Sequence, residues 1–265
     1  MTLAIATEFA FRLDRPTDAL LQFEAAAIPE QAVTAATLDM STAEHCARIP
    51  AQDDIGERLW IRAEGEFRVR YEVEVQPRRL VHDLAGLSAL DPHEMPGEAV
   101  QYLFDSRYCQ ADRLQSFAEA EFGGTAGGAR VAAIRDWIAA NIAYSPGASD
   151  ARTAAHDTML ERAGVCRDFA HVLIALARAS AIPARYVACY APGVEPPDFH
   201  AIAEVFLTDP VTPDGGIWQM VDATGMADPA QTAKIGVGRD AADVSFLTSF
   251  GKTDLRHKSV AVRLL

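Results

Sequence analysis

Residues 166–180 constrain the fold more than any other part of this chain, because they form an apolar helical segment. The large apolar side chains fall on every side of the predicted helix: Phe169, Val172, Leu173, Ile174 and Leu176. A helix that is apolar nearly all round is buried in the middle of a domain. Ile182-Pro183 predicts its end, since proline cannot continue a helix. The sequence therefore predicts a domain built around a central helix that begins at Cys166.

The first third of the chain alternates between apolar and polar residues. The cleanest alternation runs from Phe67 to Val75, where every second residue is apolar and charged residues stand between them. Residues 3–13 follow a similar pattern, and weaker strands are predicted at 20–26, 33–40, 44–49 and 57–64. Short strands at this spacing are typical of a sandwich or meander. We therefore predict an all-β, sandwich-like module over residues 1–85.

The pattern changes after a turn-rich stretch at residues 78–108. Helices are predicted first, including an amphipathic one whose apolar stripe is Val131, Ile134, Trp137, Ile138 and Ile142. Strands follow at 184–190, 201–207 and 217–222, with a last one at 260–264. Helices followed by strands predict an α+β fold rather than alternating βαβ units. We therefore predict a second domain over residues 100–265, with the central helix packed on an antiparallel sheet.

The composition disfavours several classes of function. Lys and Arg number 24 against 37 Asp and Glu, a net charge of −13, whereas phosphate binding needs clustered positive charge, so we expect no nucleic-acid partner. No run is long and apolar enough to span a bilayer, and residues 1–8 alternate like a strand rather than a signal peptide, so we expect no membrane association and a cytoplasmic location. The four cysteines form no Cys-x-x-Cys pair, and the histidines show no ligand spacing. We therefore expect no disulfide framework, no metal and no cofactor.

Three residues in chain order suggest a thiol enzyme. Cys166 lies at a helix start, where partial positive charge favours a thiolate. His200 and Asp222 lie at the edges of predicted strands. In that order they supply a nucleophile, a general base that then acts as the acid, and a carboxylate that orients the imidazole. The backbone N–H of Cys166 is the natural first donor to an oxyanion, and Tyr144 is a candidate for the second.

Each of these residues also has a structural interpretation. Cys166 could be a small buried hydrophobe, His200 a histidine at a strand edge, and Asp222 a turn carboxylate. The ordered set favours catalysis. Arg167 either faces the substrate cleft or is solvated. His171 points about 140° away from Cys166 on a helix, so we predict a buried, hydrogen-bonded histidine that fixes the helix.

Four motifs together resemble the transglutaminase-like superfamily, and more narrowly its bacterial members described as transglutaminase-like proteins or cysteine proteases. The motifs are Gly164-Val165-Cys166-Arg167-Asp168-Phe169-Ala170-His171, Ile182-Pro183-Ala184-Arg185-Tyr186-Val187, Asp198-Phe199-His200-Ala201 and Val221-Asp222-Ala223-Thr224. The segments 106–109 and 238–244 are similar to that bacterial group as well. The resemblance covers most of the chain and implies a papain-like core with a catalytic triad at Cys166, His200 and Asp222. Asp222-Ala223-Thr224 departs from a common Asp-Pro-Thr pattern but keeps the carboxylate.

The resemblance implies a thiol-dependent enzyme that acts on amide bonds through an acyl-enzyme. We predict hydrolysis of a peptide or peptide-like amide, as by a peptidase or amidase. Acyl transfer to an amine, as by a transglutaminase, and deamidation are alternatives, because the sequence does not show whether the acyl-enzyme excludes water. A non-catalytic binding or scaffold module is an alternative of a different class. The N-terminal module could serve recognition or assembly into a homo-oligomer.

Overall fold

The computed structural model of the protein describes residues 1–212 and 215–265. Its strands are β1 (Leu3–Leu21), β2 (Gln31–Met40), β3 (His45–Pro50), β4 (Glu57–Pro77), β5 (Ala143–Tyr144), β6 (Ala163–Gly164), β7 (Ala184–Tyr190), β8 (His200–Thr208), β9 (Gly216–Val221), β10 (Ala233–Gly238), β11 (Leu247–Ser249) and β12 (Thr253–Leu264). Its α-helices are α1 (Gly97–Val100), α2 (Gln115–Phe122), α3 (Gly127–Asn141), α4 (Ala155–Glu161) and α5 (Cys166–Ala179). Three short 3₁₀ turns and α1 lie in the region 78–108 that the sequence predicted to be turn-rich.

The N-terminal strands form one antiparallel sheet around two long strands. β1 and β4 pair along almost their whole length, from Leu3 opposite Val75 to Leu21 opposite Leu59. β2 and β12 flank one half of this pair, and β3 and β11 flank the other half. The predicted alternation over residues 67–75 is confirmed, because the apolar residues are buried and the charged ones exposed.

The strand predictions near Leu21 and Gly65 need correction. β1 ends at Leu21, so no separate strand covers 20–26. The runs predicted at 57–64 and 67–75 are one strand, β4. Gly65 lies between them with a φ of +81°, opposite the irregular pairing of β1 between Leu13 and Thr17. Glycine tolerates this backbone conformation, so one strand continues through the irregularity. The interrupted alternation at Gly65 had predicted two separate strands.

The second sheet carries the central helix. It is antiparallel with the strand order β10-β7-β8-β9, and α5 packs against β8 and β7. All residues of α5 from Asp168 to Arg178 are buried, as the apolar pattern predicted. The helix ends where Ala181 adopts a φ of +57° ahead of Pro183. The mixed α+β class, with antiparallel sheets and a helical core, is confirmed.

The two sheets are joined by the end of the chain and by buried hydrogen bonds. β11 and β12 pair with β1, so the predicted last strand at 260–264 exists but completes the N-terminal sheet. The Gln31 amide donates to the carbonyl oxygen of Lys234 at 2.8 Å and accepts from its N–H at 2.7 Å. The division into domains at 1–85 and 100–265 stays a prediction. The strands β11 and β12 lie within the second predicted range but pair with the first sheet.

Within 1–212 and 215–265, no helix has the length and apolar character needed to cross a membrane. The same residues contain no group of three His, Cys, Asp or Glu side chains arranged to hold a metal ion.

Candidate active site

Cys166 is the first residue of α5, as predicted, and its side chain is half-buried. Val165 before it is extended, with φ −114° and ψ −179°, so the helix begins abruptly at the cysteine. The first N–H groups of a helix have no acceptor within the helix, and their partial positive charge points at this end. The thiol therefore lies where a negative charge is stabilised.

His200 and Asp222 are hydrogen-bonded to each other, and both are buried. The distance from His200 Nε2 to Asp222 Oδ2 is 3.1 Å. His200 opens β8, and Asp222 directly follows β9, which pairs with β8 through Ala203 opposite Val221. Extending that register by one pair places Asp222 across from Ile202, on the same face as His200. Adjacent antiparallel strands therefore bring the two side chains together.

The second imidazole nitrogen of His200, Nδ1, is available to interact with the Cys166 thiol. Nδ1 is buried and makes no hydrogen bond within the described part of the chain. Burial alone lowers the pKa of His200, but the hydrogen bond to Asp222 and the interaction with Cys166 outweigh it and raise the pKa from 6.5 to about 9. Burial likewise raises the pKa of Asp222, while the bond to His200 reverses this and lowers it. His200 and Asp222 thus form an imidazolium–carboxylate pair at neutral pH.

The Asp222 carboxylate is held by the loop that follows it. Oδ1 accepts from the Thr224 N–H at 2.8 Å, and Oδ2 accepts from the Ala227 N–H at 2.7 Å. These bonds fix the carboxylate beneath the imidazole, so the His200 ring keeps one orientation. The sequence suggested Asp222 but did not point to Ala227, whose backbone carries no sequence signal.

Tyr144 lies beside the segment that leads into Cys166. Tyr144 pairs with Gly164 in the short parallel ladder of β5 and β6, and its phenol lies close to Cys166. Burial, and then the neighbouring thiol, raise the pKa of Tyr144 to about 12. The phenol therefore keeps its proton at neutral pH and can donate a hydrogen bond.

A buried carboxylate fixes the start of α5. Asp168 is fully buried; it accepts from the Val165 N–H at 2.9 Å and from the Ser149 hydroxyl at 2.5 Å, and it pairs with the Arg167 guanidinium at 2.8 Å. A side chain at Gly164 would place its Cβ 2.8 Å from the Cβ of Asp168, so glycine is required there. Arg167 is thus anchored by an ion pair, and its remaining surface lines the cavity described next.

Cys166 and His200 line one cavity of about 400 Å³. Its volume is in the range of ligand pockets, roughly 300–1,000 Å³. Other lining residues come from the second sheet and from the ends of the chain: Tyr186, Ala188, Ala201, Ile235, Gln22, Phe246 and Lys258. Asp222 lies on the far side of the imidazole and lines a separate depression. The cavity is therefore lined by Cys166 and His200, while the Asp222 carboxylate lies behind them.

His171 is buried and hydrogen-bonded, as the sequence predicted. Burial lowers its pKa to about 3, so the ring is neutral. Its Nε2 accepts from the Ala241 N–H at 3.2 Å, and its ring stacks on Tyr108 at 5.0 Å. Ala241 lines the cavity. His171 thus ties the helix to the loop that forms one wall of the site.

Comparison with known proteins gives three findings. The sequence model of the transglutaminase-like superfamily matches residues 115–223, which contain Cys166, His200 and Asp222. The crystal structure of a putative cysteine protease from Cytophaga hutchinsonii is 32% identical, with a TM-score of 0.88 over 99% of this chain and 90% of that one. An uncharacterized protein from Mycobacterium leprae is 31% identical over 138 residues, or 47% of this chain and 46% of that protein. The chain thus spans a little under half the length of that curated relative.

These matches agree with the fold and with the motifs that flank the site. The superfamily match covers α5, β7, β8 and β9, which position the cysteine, the histidine and the aspartate. The similarity to the Cytophaga protein extends over nearly the whole chain, the N-terminal sheet included. This chain belongs to the transglutaminase-like superfamily.

Proposed function

We propose that this protein is a thiol-dependent enzyme that cleaves amide bonds in peptides or peptide-like substrates. One observation carries the proposal: a cysteine at a helix start shares a cavity with a buried histidine whose far nitrogen is held by a buried carboxylate. Membership of the superfamily and the similarity to a putative cysteine protease support a thiol-dependent enzyme in general. A non-catalytic module would have no need for this complete set.

In the proposed reaction the Cys166 thiolate attacks the amide carbonyl carbon and forms a C–S bond. The carbonyl oxygen becomes an oxyanion, which accepts hydrogen bonds from the Cys166 N–H and the Tyr144 hydroxyl. The His200 imidazolium gives its Nδ1 proton to the leaving nitrogen, and the C–N bond breaks. Water then attacks the thioester while His200 takes a proton from it. Cleavage of the C–S bond releases the acid and restores the thiolate and the imidazolium.

The raised pKa of His200 fits its role as an acid. Because the pKa is about 9, the imidazolium persists through the neutral range and can protonate an amide nitrogen there. Asp222 stays ionised, since its pKa is lowered, and accepts from Nε2 throughout the cycle. The proposal therefore assigns Cys166 as nucleophile, His200 as base and acid, and Asp222 as the orienting group.

The pH dependence of Cys166 alkylation tests the proposal. In the wild type we expect the rate with iodoacetamide to be near its maximum already at pH 7, because a persistent imidazolium beside the thiol favours the thiolate. In His200→Ala we expect the rate at pH 7 to fall about tenfold and to rise only toward the ordinary thiol range near about 8.5. Mass spectrometry of the Cys166 peptide gives both rates. A slow wild-type rate that His200→Ala leaves unchanged would count against a working thiol enzyme.

Amine incorporation separates hydrolysis from acyl transfer. We expect incubation with a glutamine-containing peptide and an added primary amine to give little adduct, because the proposed deacylating nucleophile is water. Mass spectrometry of the peptide distinguishes amide cleavage, deamidation and amine addition. Amine incorporation that outcompetes water would replace the hydrolase proposal with a transglutaminase.

Cytoplasmic location stays a proposal, and the cysteines are compatible with it. All four are free thiols, which suits a reducing compartment. Assembly into a homo-oligomer through the N-terminal sheet is likewise left as a prediction.

A further inference from the structure

Part of the cavity wall comes from outside the segment that matches the superfamily. Gln22 follows β1, Phe246 precedes β11, and Lys258 lies on β12, yet all three line the same cavity as Cys166 and His200. The return of the C-terminal strands to β1 places them there. These residues take no part in the proposed bond chemistry, so they are candidates for substrate recognition.

Lys258 presents an ammonium group to this cavity. Its Nζ donates to Asp198 Oδ2 at 2.5 Å, and it lies over the ring of Phe246, 5.6 Å from the centroid. Phe246 stacks on Phe199 with ring centroids 5.0 Å apart and planes inclined by 17°. The side chain of Lys258 is 29% exposed. The ammonium is therefore held above an aromatic floor by Asp198, and both side chains are partly exposed where they line the cavity.

Near Lys258 the cavity offers more hydrogen-bond donors than acceptors. An ammonium has three N–H donors, and within the described residues Lys258 Nζ gives one of them, to Asp198. Asp198 already accepts at both oxygens, since its Oδ1 receives the Phe199 N–H at 2.7 Å. The other cations of the lining already have carboxylate partners, since Arg167 is bound to Asp168 and the His200 imidazolium to Asp222. A ligand group that accepts hydrogen bonds and carries negative charge complements Lys258 best.

We propose that Lys258 binds a carboxylate of the substrate, so that the preferred substrates are acidic peptides. The apolar part of the same substrate residue would pack on Phe199 and Phe246, and its carboxylate would lie close to the amide that reacts at Cys166. This proposal rests on the proposed function, which it narrows to a substrate class. Lys258 acts on specificity and takes no part in bond cleavage.

Charged and neutral alkylating reagents test the proposal without turnover. Iodoacetate carries a carboxylate, whereas iodoacetamide is neutral and of similar size. We expect Lys258→Met to lower the ratio of the iodoacetate rate to the iodoacetamide rate at Cys166 about fivefold, because a nearby cation is lost. Lys258→Arg keeps the charge and should keep most of the ratio. Lys252→Met removes an exposed lysine elsewhere on the C-terminal segment and should leave the ratio unchanged.

The exposed Cys46 serves as an internal reference, since its two rates should not respond to Lys258→Met. An unchanged ratio at Cys166 in Lys258→Met overturns the proposal. An equal fall of both rates does so too, because Lys258 would then only tie β12 to the segment before His200. Failure of the proposed function has a different signature, a slow iodoacetamide reaction in the wild type that does not depend on His200.

Protection by peptides tests the substrate class directly. Two short acetylated peptide amides that differ only in Glu against Gln compete with iodoacetamide for the wild-type cavity. We expect half-maximal protection of Cys166 at a concentration about fivefold lower for the Glu peptide, and no preference in Lys258→Met. Equal protection by both peptides, or protection by neither, overturns the proposal.

Discussion

Cys166→Ala is expected to abolish amide cleavage while leaving the fold intact. The substitution removes the nucleophile, so no acyl-enzyme can form, and the rate should fall on the order of 10⁴-fold or more. The side chain is only half-buried and stands at the first turn of α5, where alanine is well tolerated. Cleavage of a peptide mixture, followed by mass spectrometry of new termini, measures the activity. Circular dichroism and thermal unfolding report the fold.

A second cysteine of the same chain provides the matched control. Cys46 is exposed on β3 and is not among the residues that line the cavity, so Cys46→Ala should keep full activity. Activity at the wild-type level in Cys166→Ala would remove this residue from the mechanism, whatever the behaviour of the control. Loss of activity together with loss of the folded spectrum would instead show that the thiol supports the fold.

The positions of the three proposed catalytic residues follow from local patterns. Cys166 precedes an apolar helix, His200 precedes an apolar strand, and Asp222 follows another, so each element boundary can be read from nearby residues. The pairing of β8 with β9 then brings His200 and Asp222 together. The three residues could be proposed from the sequence because they lie where regular elements begin and end.

The part of the cavity wall formed by Gln22, Phe246 and Lys258 cannot be predicted from local sequence patterns. Lys258 is separated from Asp198 by 60 positions, and the pairing of β12 with β1 joins the two ends of the chain. Alternation predicts a strand but does not say which strand it pairs with. The strand β10 was missed altogether, because Ala233–Gly238 is short and contains a lysine and two glycines, residue types that are depleted in strands.

Lys234, the lysine of β10, belongs to a buried ionic cluster that joins the two sheets. Lys234 Nζ donates to Glu204 and to Glu30, each at 2.8 Å, and Arg185 reaches the other Glu204 oxygen at 2.7 Å. Arg185 also pairs with Asp53 at 3.0 Å. Glu30 and Asp53 come from the N-terminal part of the chain, whereas Glu204 lies on β8, four residues after His200. The cluster therefore ties the strand that carries His200 to the rest of the molecule.

Glu204 is the shared anion of this cluster. Its side chain is 1% exposed, and those of Lys234 and Arg185 are 0% and 5% exposed. Burial by itself raises the pKa of Glu204, but Lys234 and Arg185 outweigh it and lower the pKa from 4.5 to about 2. Removing the Glu204 charge would leave two buried cations with only their more exposed partners, Glu30 and Asp53.

Glu204→Gln is therefore expected to lower the free energy of unfolding by about 3–5 kcal/mol at pH 7, the usual cost of breaking a buried ion pair. The substitution keeps the shape of the side chain, so the loss reports the charge. Urea unfolding measures it. Glu66→Gln is the matched control, because Glu66 forms an exposed pair with Arg68 and such pairs contribute only ~0–1 kcal/mol.

The pH dependence separates the ionic contribution from a packing defect. Because the folded pKa of Glu204 lies below its ordinary value of 4.5, the carboxylate stabilises the folded state fully above that pH, and this contribution is lost as the pH falls toward about 2. The difference in unfolding free energy between wild type and Glu204→Gln should therefore shrink below about pH 4.5. A difference that stays constant with pH would show that the variant merely packs poorly. A loss no larger than that of Glu66→Gln would mean that the cluster does not hold β8 in place.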